Sequence, residues 1–127
     1  MKNEHDQQVF ILEWAEGMAY QYPELALLYA VPNGAKLPWK KDRRGQRYSP
    51  EAIRLKAEGL KSGVPDLCLP VSRQGFHSLY IELKQGKNKP TEAQIWWLDQ
   101  LAKQGHLAVV CWGAEEVIAV LREYLGI

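Results

Sequence analysis

Two short apolar segments separated by a turn constrain this chain more than any other part of it. Gly63 precedes the first segment, Val64-Pro65-Asp66-Leu67 opens it, and Ser72-Arg73-Gln74-Gly75 separates it from a second segment that ends Ile81-Glu82-Leu83-Lys84. Apolar runs bounded in this way predict strands over 66–71 and 78–84. Strands this close in the chain are expected to pair antiparallel, because a parallel pair needs a long crossover between them. Side chains alternate along a strand, so Tyr80, Glu82 and Lys84 share one face and Leu79, Ile81 and Leu83 the other. In such a hairpin Asp66 and Glu82 converge at one end. Two carboxylates ~4 Å apart repel by roughly 4 kcal/mol at an effective dielectric near 20. A divalent cation turns that repulsion into a coordination site, and hard oxygen donors suit Mg²⁺ or Mn²⁺. Lys84 then adds a positive charge where a scissile phosphate or an attacking water would lie. Each element also has a plainer use: Pro-Asp is common in turns, and Glu-x-Lys forms cross-strand ion pairs on exposed strands.

The 127 residues are expected to form one domain with a single core, at 46% apolar and 24% charged residues an ordinary globular composition. Cys68 and Cys111 lie inside the apolar runs Leu67-Cys68-Leu69 and Val110-Cys111-Trp112, which reads as buried small side chains without any zinc spacing. The chain opens Met-Lys-Asn-Glu-His-Asp, which is no signal peptide, and no apolar run approaches the ~18 residues of a membrane span. A reducing cytoplasm fits. Net charge is only +1, but its distribution is uneven. Nine of the sixteen basic residues fall within 36–61: Lys36, Lys40, Lys41, Arg43, Arg44, Arg47, Arg54, Lys56 and Lys61. With Asp42, Glu51 and Glu58 that segment carries +6 and the rest of the chain −5. A basic segment just before the Asp66 strand has the character of a polyanion-binding surface, although a solvated basic loop has the same composition.

Along the chain, Asn3 is a good cap for a first helix that extends to about Tyr22, where Pro23 ends it. Glu4, Gln8, Ile11, Leu12, Ala15, Met18, Ala19 and Tyr22 follow one helical face, which places Glu4 on the inward stripe. An acid in a first helical turn is also favoured by the helix dipole alone. A strand is expected over Leu27–Val31, then a basic stretch 36–47 with little periodicity, expected to stay mobile until it meets a ligand. Ser49 caps a second helix with Pro50 at its first position, extending to about Lys61. After the hairpin, a loop carries Lys87 and Lys89. Thr91-Glu92-Ala93-Gln94 has the capping-box pattern and opens a third helix, with Ile95, Leu98, Leu101 and Ala102 as its expected buried face and Gly105 at its end. The unbroken apolar run Leu107–Trp112 predicts a strand buried on both faces, set parallel by the helical crossover before it. A last helix packs through Val117, Ile118, Leu121 and Tyr124. The order is αβαββαβα, an α/β fold with a small mixed sheet flanked by helices.

Five blocks in this order carry a resemblance: Tyr29-Ala-Val-Pro-Asn-Gly34, Arg54-Leu-Lys-Ala-Glu-Gly59, Ser62-Gly-Val-Pro-Asp-Leu67, Ile81-Glu-Leu-Lys84 and the helix holding Gln94. Together they resemble the VRR-NUC domain, a branch of the PD-(D/E)xK nuclease superfamily, over essentially the whole chain. The resemblance implies a restriction-endonuclease-like core and metal-dependent hydrolysis of DNA phosphodiesters. It implies that Asp66 and Glu82 are the metal-binding carboxylates, that the Leu83 backbone carbonyl completes the protein's share of the coordination sphere, and that Lys84 is the catalytic lysine. Glu4 and Gln8 match an acid and a glutamine of the first helix in such nucleases, with Glu4 a possible ligand of a second metal ion. Gln94 matches a glutamine near their site, although a capping box alone would also account for it.

The expected partner is DNA, held by the basic segment together with Lys87 and Lys89, and there is no membrane partner. Ser62, Ser72 and Ser78 lack a patterned His or Asp, so a covalent intermediate is not expected, and His5, His77 and His106 read as surface or structural. Trp96 lies roughly 150° around the third helix from the Ile95–Leu101 face, which makes it a candidate dimer contact. A homodimer presents two sites to the arms of a four-way junction, as some stand-alone members of the resembling family do, and this gives the finest expectation: a Holliday-junction-resolving enzyme. The competing readings are a catalytically silent DNA-binding module and a sequence-specific or less selective nickase.

Overall fold

The structure is a computed structural model that describes residues 3–32 and 37–127. In order, the elements are α1 (Glu4–Met18), a 3-10 helix (Pro23–Leu27), β1 (Tyr29–Ala30), β2 (Lys40–Lys41), β3 (Arg47–Tyr48), α2 (Pro50–Ala57), β4 (Leu67–Leu69), β5 (Leu79–Lys84), α3 (Glu92–Lys103), β6 (Leu107–Trp112) and α4 (Ala114–Leu125). Four strands form one sheet in the order β1-β4-β5-β6, and β2 pairs β3 in a separate hairpin. The expected αβαββαβα order is present, with that hairpin added. β4 pairs β5 antiparallel and β5 pairs β6 parallel, both as the connection lengths dictate.

The inner strands are the floor of the core. Leu67, Leu69, Leu79, Ile81 and Leu83 are at most 1% exposed, and they pack with Ile11 and Ala15 of α1 and Val117, Leu121 and Tyr124 of α4. Burying each such aliphatic side chain contributes about 1.5–3 kcal/mol. Tyr124 also ties α4 to the sheet's turn: its hydroxyl donates to the Val71 carbonyl at 2.6 Å and accepts from the Arg73 amide at 3.3 Å. The odd-numbered residues of β5 face this core, so the even-numbered Tyr80, Glu82 and Lys84 face the other side of the sheet.

Several elements differ from expectation. α1 stops at Met18, short of Tyr22, because the Ala19 amide turns to the Glu16 carbonyl in a tighter i→i+3 bond. Leu27 ends the 3-10 helix, and β1 is only Tyr29–Ala30, although the Val31 amide adds a bond to the Asp66 carbonyl at 2.8 Å. α2 ends at Ala57 and does not reach Lys61. β6 is an edge strand, with Cys111 its one buried residue and Trp112 41% exposed. A run of apolar residues therefore did not mean burial on both faces. α3 carries no buried residue, and Ile95 is 49% exposed, because the helix rests on an edge strand instead of the sheet's centre. Within the basic stretch, residues 40–47 contain order that periodicity missed. Lys40 and Lys41 pair with Tyr48 and Arg47 around a turn held by Asp42, whose Oδ1 accepts from the amides of Arg44 at 2.9 Å and Gln46 at 2.8 Å. Asp42 and Gly45, at φ +79°, were the available turn signal.

Candidate active site

The β4–β5 register pairs Leu67 with Ile81, which sets Asp66 opposite Glu82 at the end of the hairpin remote from its turn. Both side chains are buried, at 6% and 2% exposure. Asp66 is held from one side: its Oδ2 accepts the Leu83 amide at 2.7 Å. Glu82 Oε2 accepts from Gln94 Nε2 at 3.2 Å and lies 3.6 Å from Lys84 Nζ. Lys84 is itself only 9% exposed, so its charge is confined to this spot. Glu82 Oε1 is buried without a hydrogen-bond partner. Desolvation foremost, then the adjacent Asp66 carboxyl, pushes the Glu82 carboxyl up to about 8; Lys84 acts in the opposite sense and Glu4 adds a smaller upward push.

This donor set fits a hard divalent cation. An orphaned carboxylate oxygen beside a second carboxylate is costly to bury without a positive partner. Among the described residues no group of three or more His, Cys, Asp or Glu side chains lies together, so the protein offers two carboxylates. Mg²⁺ retains several waters and takes one or two carboxylates in such sites, so two are sufficient.

Gln94 makes contacts in two directions. Its Oε1 accepts the Thr91 amide at 2.8 Å while the Thr91 hydroxyl accepts the Gln94 amide, completing the capping box, and its Nε2 reaches Glu82. Glu4 sits in the first turn of α1, where its charge is felt at Glu82, and Asn3 caps that turn through the Asp6 amide at 2.8 Å. Gln8 lines a depression with His5, Val9, Leu12, Glu13 and Glu16. Its neighbour Gln7 instead accepts the Ala114 amide at 2.6 Å, joining α1 to α4.

The basic residues expected to bind DNA lie on elements other than the two carboxylate-bearing strands. Lys40, Lys41, Arg43, Arg44 and Arg47 are exposed on the β2–β3 hairpin, Arg54, Lys56 and Lys61 on and after α2, and Lys87 and Lys89 in the loop after β5. Lys36 lies outside the described residues. Trp96 is 57% exposed, in edge contact with the Trp97 ring. With Ile95 also exposed, it belongs to a wider open apolar surface and does not stand opposite a buried face.

Two features, one beside the site and one remote from it, were not legible as such in the sequence. Gly63 has φ +94°, and a Cβ there would lie 2.7 Å from the Ala93 carbonyl, so only glycine lets the approach to β4 run against the start of α3. That close approach fixes where Gln94 stands relative to Glu82. Ser78, read as lacking a histidine partner, has one: its Oγ is 2.6 Å from His106 Nδ1, a pairing made by the parallel β5–β6 register across a sequence separation that no local pattern records. It lies at the far end of β5 from Glu82.

A model of the VRR-NUC domain matches residues 3–115. Among solved structures, a VRR-NUC domain protein superposes with a TM-score of 0.76 at 28% identity, covering 98% of this chain and 88% of its own. A search of curated proteins returned no match. The matched region contains the carboxylate pair, Lys84, Gln94 and the basic segment, within a mixed sheet flanked by helices. The chain belongs to the VRR-NUC domain family, whose fold is nuclease-like and implies DNA as partner.

Proposed function

We propose that this protein is a Mg²⁺- or Mn²⁺-dependent endodeoxyribonuclease, one nuclease domain over residues 1–127, that acts as a homodimer on four-way, Holliday-type junctions. The observation that carries the reading is the buried, unpartnered Glu82 Oε1 beside Asp66 on the two inner strands. Asp66, Glu82 and the Leu83 carbonyl would hold the ion, with Glu4 contributing to a second. A divalent cation there supplies charge that polarises a phosphate and lowers the pKa of a bound water.

The chain's own residues supply the rest. The Leu83 amide fixes the Asp66 carboxylate, and Gln94 fixes Glu82, so neither donor has to reorganise. Lys84, nearly enclosed, would orient an attacking water or contact the phosphate. The exposed lysines and arginines of the hairpin, α2 and the Lys87–Lys89 loop neutralise the backbone of the DNA. The exposed Trp96 supports an interface between two copies.

Supercoiled, linear, flap and four-way DNA incubated with Mg²⁺, Mn²⁺ or EDTA tests the proposal. Cleavage is expected with either ion, fastest on the four-way junction, and none in EDTA. Tight DNA binding without cleavage of any substrate would replace the enzyme with a DNA-binding module. A monomer by light scattering at micromolar concentration, with equal rates on linear and four-way DNA, would remove the dimer and the junction while leaving the nuclease.

A further inference from the structure

The β2–β3 hairpin, α2 and the N-terminal end of α3 enclose a cleft of about 520 Å³, the size of a small-ligand site. Trp39 and Tyr48 form aromatic walls, and both rings are partly open, at 41% and 37% exposure. Among the described residues the charges lining the cleft are Arg47, Lys56 and Lys61, and no Asp or Glu lines it. The Arg47 guanidinium lies 5.5 Å from the Trp39 ring centroid, a cation–π contact that holds the ring in place. At the opposite side the wall includes Gln94, the residue that also bonds Glu82. The cleft and the carboxylate pair therefore share a side chain.

An aromatic wall with a cationic rim and no acid is complementary to a nucleotide, whose base offers a π face and whose phosphate offers negative charge. A base inside a duplex is stacked and paired on both sides and cannot enter such a cleft. We propose that the cleft receives one unpaired nucleotide of the DNA, its base against Trp39 and Tyr48 and its phosphates against Arg47, Lys56 and Lys61. The preferred substrates then carry an unpaired nucleotide beside the bond to be cut. Stacking accepts any base, so the selection is for DNA structure and not for sequence. The inference rests on the nuclease reading for its substrate, but the cleft itself is read independently of the carboxylates.

The test compares two four-way junctions of one sequence, one fully paired and one with a single extra unpaired thymidine at the branch, by fluorescence anisotropy in EDTA. The wild-type protein should bind the second about tenfold more tightly, within the range that stacking one base on an aromatic ring provides. Trp39→Ala with Tyr48→Ala should bring that ratio to about one, while Trp39→Phe with Tyr48→Phe, which keeps both rings, should preserve it. Circular dichroism checks that both variants fold. A wild-type ratio of one, a ratio that survives the alanine pair, or an equal loss in the phenylalanine pair would each overturn the proposal. Cleavage of the fully paired junction in Mg²⁺ reads the enzyme separately: cleavage without the binding ratio removes the cleft alone, and the ratio without cleavage removes the enzyme alone.

Discussion

In β5 five of six residues are buried, whereas neither α2 nor α3 buries a single one. The contrast separates two physical demands. Two carboxylates must be held at fixed spacing in a dry place, and inner strands with neighbours on both sides hold them best. A long polyanion needs many exposed cations on elements that can follow its shape, and these sit on a two-residue-per-strand hairpin and a short helix. Chemistry and binding should therefore be separable by mutation.

The largest effect should come from the inner strands. Asp66→Asn or Glu82→Gln keeps shape and removes the charge that would hold the cation, so single-turnover cleavage in Mg²⁺ should fall by at least about a thousandfold. DNA affinity measured in EDTA should change little by comparison. Normal cleavage by either variant would end the assignment of these residues. In the outer region, Arg43→Ala, Arg44→Ala and Arg47→Ala together should weaken binding and flatten the dependence of log K on log salt by about 0.9 for each phosphate no longer neutralised. A slope that did not move would place the DNA elsewhere on the surface.

Gly63 joins the two regions and sharpens the comparison. Gly63→Ala meets both a positive φ and the Ala93 backbone, so stability by urea denaturation should drop by about 1–3 kcal/mol. The displaced α3 should draw Gln94 off Glu82 and slow cleavage. Unchanged stability would mean that α3 moves freely and that its packing on the approach to β4 does not position the site.

A further effect is a pH dependence of the metal-free protein. Burial and Asp66 raise the Glu82 carboxyl to about 8 from an ordinary value of 4.5, so the folded state holds its proton more tightly than the unfolded one. Between those values the unfolded chain binds fewer protons, and stability falls as pH rises through that window. Below 4.5 both states are protonated and the contribution is constant. Urea denaturation in EDTA at about pH 5 and about pH 8, near the two ends of that window, should show this loss. Glu82→Gln should lessen it, and Mg²⁺ should oppose it by favouring the carboxylate. A decline as large in Glu82→Gln as in the wild type would assign the titration to another group.

Much of this architecture is written in local patterns. Strands on either side of Ser72–Gly75, the Thr91–Gln94 cap, the β6 boundaries Leu107–Trp112 and the inward Val117, Leu121 and Tyr124 of α4 all follow from short-range rules of pairing, capping and periodicity. The placement of Asp66 opposite Glu82 follows from the same source, because a one-residue slip of either strand would turn its buried leucines and isoleucine out of the core. What could not be read was which surfaces neighbours would cover. The apolar run of β6 fits a central strand as well as an edge strand, and the apolar stripe of α3 fits a core helix as well as one resting on an edge; only the strand order β1-β4-β5-β6 distinguishes them.

Apart from the 3-10 helix and the β2–β3 hairpin, the sequence by itself determined the order of the elements, the β4–β5 and β5–β6 pairings and the convergence of Asp66, Glu82 and Lys84, since these depend on residues close in the chain or on connection lengths. Tertiary structure alone decided that Gln94 bonds Glu82 while closing its own helix cap, that Gly63 must touch Ala93, that Ser78 meets His106, and that Trp39 and Tyr48 face α2 and the start of α3 across a basic cleft. Each of these meetings joins residues whose distance in space is set by how separate elements pack, and no local periodicity encodes that distance.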